Sequence, residues 1–265
     1  MASRRSALRS DLRRAFLSPR FCGAALAIVA LCFLSMSLER SAALGAGATQ
    51  SVSYLFHFFV FQNTTLAIVA YSLGVAAYGH SFCADYRSRF VRFCVIRSSA
   101  GAYASSRVVA VALSTFAAVL LGYACAALLL GLQAPLTAAH EAVSFEFLFF
   151  GGVVQLPALA YLLLQMVAMS VACSFWAVFA LYVSSVVPNV FVVYAAPVVA
   201  YWFTGLVSSL LGLPSFLRIG RLAEGLAVFP DAGLSLLYSV FLFIVLTALF
   251  GLLFCRSVRK RLGDG

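Results

Sequence analysis

Charge is what this sequence has least of. Only 10% of its residues are charged and 64% are hydrophobic, whereas a soluble domain carries about 25% charged residues. Lysine occurs once, at Lys260. A phosphate-binding loop needs G-x-x-x-x-G-K-[ST], and Lys260 stands in a basic tail without those glycines. ATP hydrolysis by this chain is therefore not expected. Neither H-E-x-x-H nor G-x-S-x-G occurs, and "HEAVS" at His140 lacks the second histidine. The seven cysteines form no C-x-x-C pair. His57, His80 and His140 lie far apart in sequence, without cysteine at ligand spacing. We expect no catalytic residues, no metal and no cofactor of its own. The cysteines read as small buried hydrophobes.

What fills the chain instead is long apolar runs. A helix crossing the hydrocarbon core needs about 20 mostly apolar residues. Six runs qualify as spans: 21–38, 63–80, 108–131, 156–184, 190–211 and 234–255. They are apolar all round, unlike the alternating strands of a membrane barrel. The fold expected is an all-α polytopic membrane protein, a single domain over residues 1–265 with no nucleotide-binding domain. The fourth run is longer than a bilayer needs, so a tilt or a bend at Pro157 is expected. "SSVVPN", Ser184–Asn189, reads as the turn into the fifth. These six runs hold no Asp, Glu, Lys or Arg. Proton- and ion-coupled carriers place ionisable groups near the midplane. Here only His80 titrates near neutrality, and it stands at a span's end. A broken helix could still bind sodium through backbone carbonyls.

The formal charge is +10. Its distribution points to a membrane rather than nucleic acid, because the arginines flank the apolar runs. With six spans, the termini and the connections 81–107 and 184–189 share one side. Every basic residue except Arg40, Arg218 and Arg221 lies there. Glu39, Glu141, Glu146, Glu224 and Asp231 lie opposite. By the positive-inside rule both termini are cytoplasmic. A basic start, an apolar run and "SAALGAGA" resemble a secretory signal. Both the run and the basic region are long for one, so the first span is read as retained.

Three segments read as interfacial. Ser3–Pro19 puts Leu8, Leu12, Ala15 and Phe16 on one helical face, with Arg9 and Arg13 around it, which suits a helix in the headgroup plane. Ser51–Phe61, "SVSYLFHFFVF", is either a short outer helix or the start of a longer second span. Gly212–Leu234 has glycine and proline breaks and too little apolar length to cross. It reads as a short re-entrant or interfacial element, or as a plain outer loop.

The stretch Ser81–Arg107, "SFCADYRSRFVRFCVIRSSAGAYASSR", is longer than a turn requires. Phe82, Tyr86, Phe90, Phe93 and Arg97 recur at spacings of four, four, three and four, with Arg87, Arg89 and Arg92 around them. "SSAG" breaks the pattern, and Ser105 and Ser106 are candidate caps of the third span. The pattern predicts a short helix-turn element along the membrane face, gripping anionic lipid or docking a partner. A chain without a motor can receive work only through such a surface.

With these residues in hand, the chain resembles the permease subunit of ABC transporters of the type-2 exporter class, in particular compact bacterial members. The resemblance runs from "LRSDLRRAFLSPRF" through Asp85, the Val91–Ile96 region, Arg97 with Ser98 and Ser99, Tyr103 and Arg107 to "SSVVPNVFVVYAAP". It departs where the acidic residue is Asp85 followed by "YRSR" rather than glutamate before a Gly-Thr pair. The resemblance implies a coupling helix between spans two and three and a bacterial plasma-membrane location. It implies a cytosolic ATPase partner that binds the ATP, contacting Asp85, Arg87, Arg89, Arg92 and Arg97. It also implies a second permease chain, identical or paralogous, and an outer gate element around Arg218, Arg221 and Glu224. The alternative is a membrane scaffold that recruits a cytosolic partner without transporting. Uncharged spans suit a lipid-like, amphipathic or peptide cargo better than a small ion.

Overall fold

The structure, a computed structural model, describes residues 2–43, 51–88, 90, 91, 93, 99–136, 158–223, 228, 229 and 232–263. Among them there is no strand. The helices are α1 (Ala2–Phe16), α2 (Pro19–Ala43), α3 (Val52–Leu55) running into a π-helical turn (Phe56–Phe61), and α4 (Thr64–Tyr78). Then follow α5 (Ser81–Arg87), α6 (Ala100–Gly131), α7 (Ala158–Val186), α8 (Val190–Leu210), a 3₁₀ turn (Ser215–Leu217), α9 (Ile219–Ala223) and α10 (Ala232–Gly263).

Five helices, α2, α6, α7, α8 and α10, are long and apolar enough to cross a bilayer. This is a membrane protein. The second expected span is different. α4 has 15 residues, about 22 Å of helix, which is short of a 30 Å core. The α3–π segment and α4 together have the length, but they meet at 82°. Asn63 makes the corner: its Oδ1 accepts from the backbone N of Thr65 and Leu66 at 3.1 and 3.3 Å, capping α4.

Ser51–Phe61 is neither a free outer helix nor a straight extension of α4. Val52, Leu55, Phe56, Val60 and Phe61 are buried in the bundle. Phe56 and Phe61 face Tyr123 of α6 at 6.5 and 5.5 Å. In lipid, each backbone group must find a partner inside the protein. Val52 N and Ser53 N donate to the carbonyls of Pro135 and Leu136. Ser35 of α2 donates to the Phe59 carbonyl at 2.7 Å.

α7 is the central post. It packs on α4, α6, α8 and α10 and buries Met166, Met169, Cys173 and Trp176. α8 and α10 are peripheral and present Trp202, Phe203, Phe241 and Leu252 outward. Close approach of α6 to its neighbours depends on two glycines. A Cβ at Gly74 would stand 2.9 Å from Thr115 Cγ2, and Thr115 Oγ1 donates to the Gly74 carbonyl at 3.1 Å. A Cβ at Gly122 would stand 2.7 Å from the Cβ of Ile28 and 2.9 Å from the carbonyl oxygen of Ala25. Small residues of this kind let membrane helices approach backbone to backbone. Gly122→Val should therefore force α2 and α6 apart and cost about 1–3 kcal/mol by overpacking, read as a lowered unfolding temperature in detergent.

The structure corrects three expectations of the sequence. The third span's helix begins at Ala100, and its cap is Ser99, whose Oγ accepts from Ala102 N at 3.3 Å. Ser105 and Ser106 are not caps; the Ser105 hydroxyl donates to the Ala102 carbonyl, and Ser106 Oγ lies 2.9 Å from the Tyr103 carbonyl oxygen, both inside the helix. The extra turns hold because Arg107, which would end a membrane helix if unpaired, has buried partners. The sixth helix likewise continues past Cys255 into the basic tail, burying Val258 while exposing Arg256 and Lys260. The turn before α8 is shorter than the expected Ser184–Asn189, because α7 runs on through Ser184 and Ser185 to Val186; Asn189 Oδ1 accepts from Phe191 N at 3.0 Å. Pro157 lies outside the described residues.

Candidate functional site

The basic ends of the helices converge on one guanidinium. Arg107 is 1% exposed, one of the largest fully buried side chains in the protein. Its Nη2 pairs with Asp85 Oδ2 of the α5 helix and lies 3.5 Å from Asp11 Oδ1 of α1. Its Nη1 donates to Tyr78 Oη, at the end of α4, at 2.6 Å. The guanidinium carbon lies 5.2 Å from the Tyr78 ring centre and 5.1 Å from that of Tyr103, so two aromatic faces stabilise it further. Tyr103 Oη donates to Asp85 Oδ2 at 3.0 Å, and Ser106 Oγ donates to Asp11 Oδ2 at 2.6 Å. Four helices thus share one ion cluster. A buried charge is tolerated only when paired and hydrogen-bonded, and here each carboxylate has both an ionic and a hydroxyl partner.

Among the described residues, no three His, Cys, Asp or Glu side chains form a metal cluster. The hub ties α1, α4, α5 and α6 to one another through contacts to Arg107.

Around the hub, the connection after α4 is held by both ends of the chain. Phe82 is buried against Phe254 of α10 at 5.4 Å. Arg14 of α1 lies over Phe90 at 4.7 Å. Arg261 of α10 lies over Tyr86 at 5.6 Å and donates to the Val186 carbonyl at the end of α7, at 2.6 Å. The expected aromatic stripe therefore divides. Phe82 enters the core, while Tyr86 is 43% and Phe93 65% exposed. Arg87 is exposed at the end of α5. Arg89, Arg92 and Arg97 lie outside the described residues.

α1 packs along α6, with Asp11 and Ala15 inward and Leu12 against the core. Arg9 and Arg13, with Arg14 and Ser10, line a surface basin of about 520 Å³. Phe16 is part exposed, 5.2 Å from Phe21. At the other end of the bundle, Arg218 Nε donates to the Leu213 carbonyl at 2.8 Å. Arg221 lies in α9, and Glu224 is outside the described residues. Tyr238 of α10 donates to the Phe216 carbonyl at 3.0 Å, so 213–223 folds back on the bundle.

Two hub residues escaped the sequence reading. Asp11 is the one acid among six N-terminal arginines, and that isolation is the signal that could have marked it. Tyr78 carried no signal of its own.

A second link lies beside the hub. Buried His80 accepts from Arg20 of α2 through Nε2, which leaves Nδ1 to donate to Tyr194 Oη of α8 at 3.4 Å. The His80 and Tyr194 rings stack at 6.0 Å. Burial, reinforced by Arg20, lowers the His80 pKa from the ordinary 6.5 to about 4. A histidine held neutral in the fold but free to protonate when unfolded contributes stability above pH 6.5. That stability is lost as pH falls towards 4. The purified protein should unfold at lower temperature at pH 5 than at pH 7.5, and His80→Gln should reduce that difference.

Comparison with protein-family models, with curated proteins and with solved structures finds no match to this chain.

Proposed function

We propose that this chain is the permease subunit of an ABC exporter of the type-2 class, driven by a separate cytosolic ATPase. The observation that carries the reading is the Arg107 hub. It joins the connection after α4 to the N-terminal helix and to the head of a long membrane helix, on the side where the arginines collect. A push on α5 would be transmitted through Asp85 and Arg107 to α6, and through Asp11 to α1. The exposed Arg87, Tyr86 and Phe93 offer a docking partner cationic and aromatic anchors. Arg89, Arg92 and Arg97, which the resemblance also assigns to the partner contact, lie outside the described residues.

Counting α3 and α4 as one bent crossing gives six spans. Both termini and the 81–107 segment then lie in the cytoplasm, as the arginine distribution requires. A second copy or a paralogue would complete a path between the permeases in a bacterial plasma membrane. The 213–223 fold-back, with Arg218 and Arg221, would border that path at the outer face. The cargo consistent with uncharged spans is amphipathic, lipid-like or a peptide.

The test is affinity purification of the tagged chain from membranes of its own host. An ATP-binding subunit should co-elute and hydrolyse ATP, faster with the transported cargo. ATP turnover that no cargo alters would leave the chain a scaffold, and elution of the chain alone would remove the reading.

A further inference from the structure

On the membrane-facing side, α6, α7 and α10 enclose a groove of about 390 Å³. Val108, Ala112 and Phe116 form one wall, Ser174 the floor, and Ile244 and Ala248 the other wall. Its polar atoms are committed to backbone. Ser174 Oγ lies 2.8 Å from the Ser170 carbonyl oxygen and 3.1 Å from that of Ala112. Thr247 Oγ1, also on the lining, donates to the Phe243 carbonyl at 2.7 Å. The groove therefore suits hydrocarbon. From Val108 to Phe116 it runs about 12 Å along α6, close to the ~15 Å depth of one leaflet's hydrocarbon.

The end of the groove towards the termini is cationic. α10 touches α6 where Gly251 meets Val108. Two turns further along, the Arg259 side chain crosses to α6. A Cβ at Gly101 would stand 2.8 Å from Arg259 Nη2, so the guanidinium rests on the α6 backbone. Gly101 lies two turns before Val108 on the same helical face, about 10 Å along the axis. None of the three lining helices carries an Asp or Glu.

We propose that this groove holds an acyl chain of an anionic phospholipid from the leaflet on the side of the termini, with the lipid phosphate at Arg259. The charge decides between occupants. A second copy in the same membrane orientation would be related by a two-fold axis along the membrane normal. An isologous contact through this groove would bring Arg256, Arg259, Lys260 and Arg261 of both copies to the same level. Like charges so placed oppose the contact, whereas a phosphate neutralises them. The proposal requires only that the chain span a membrane, and it holds whether or not an ATPase docks at the hub.

Native mass spectrometry of the detergent-purified chain tests it, with phosphatidylglycerol and phosphatidylcholine of identical acyl chains as probes. Phosphatidylglycerol should bind at one site at least about tenfold more tightly, a difference of about 1.4 kcal/mol. Arg259→Gln should bring its affinity down to that of phosphatidylcholine. Ala248→Phe, at an exposed position, should fill the groove and remove the site for both lipids. Equal affinity of the unaltered chain for the two lipids would overturn the proposal. So would retention of phosphatidylglycerol by Ala248→Phe, or a lipid-free dimer that this substitution splits.

Discussion

Arg107→Met should destabilise the protein by about 3–5 kcal/mol, the cost of leaving buried Asp11 and half-buried Asp85 without their cation. The substitution keeps an apolar stem of similar length but leaves Asp11 and Asp85 facing each other at a single buried point. Unfolding temperature in detergent measures the loss. Limited proteolysis measures its location: α1 and α5 should become cleavable before α6 and α7, because both hold to α6 through this guanidinium. Arg107→Lys should fall between, since a point charge cannot serve Asp85, Asp11 and Tyr78 in the fixed fork of a guanidinium. The combined replacement Asp11→Asn, Asp85→Asn, Arg107→Met should recover much of the stability. Removing a whole buried cluster costs far less than removing one member. If the hub carries motion as well as stability, this triple variant should fold and insert yet fail to couple to its partner.

Reversing the charge of the exposed platform should have the opposite signature. Arg87→Glu combined with Arg89→Glu and Arg92→Glu should leave membrane insertion and unfolding temperature nearly unchanged, because Arg87 is exposed and takes no part in the hub. Retention of an ATPase subunit should fall by on the order of 100-fold, since like charges facing across an interface cost several kcal/mol. Stimulated ATP turnover should fall with it. Unchanged turnover would mean that these arginines contact only lipid headgroups. Loss of insertion would mean that they set topology rather than docking.

The two variants separate what the sequence could and could not disclose. Apolar runs expose themselves in any window of 20 residues, and a proline followed by asparagine marks a turn, so α2, α6, α8 and the turn at Asn189 were legible. The arginine distribution was equally plain. The hub was not, because an arginine beside a span has the same sequence signature whether it lies on the headgroups or is buried. Only the return of α1 along α6 brings Asp11 to Arg107. The same blindness moved the start of the third helix. Ser105 and Ser106 have cap chemistry, but a buried ion cluster lets the helix run on to Ser99. The aromatic run 51–61 was undecidable for a related reason: burial inside a bundle and residence at an interface select the same residues. The corner at Asn63 and the carbonyls of Pro135 and Leu136 decide it.

The central claim is that an ATP-hydrolysing subunit sits on the connection after α4. A photo-crosslinking residue replacing exposed Tyr86 tests this most directly in host membranes, with the same probe at exposed Leu237 near the opposite end of α10 as reference. The account predicts an adduct between the Tyr86 position and a protein labelled by an ATP analogue, absent from the Leu237 position. Adducts at Tyr86 to lipid alone, or to proteins that bind no ATP, would contradict it.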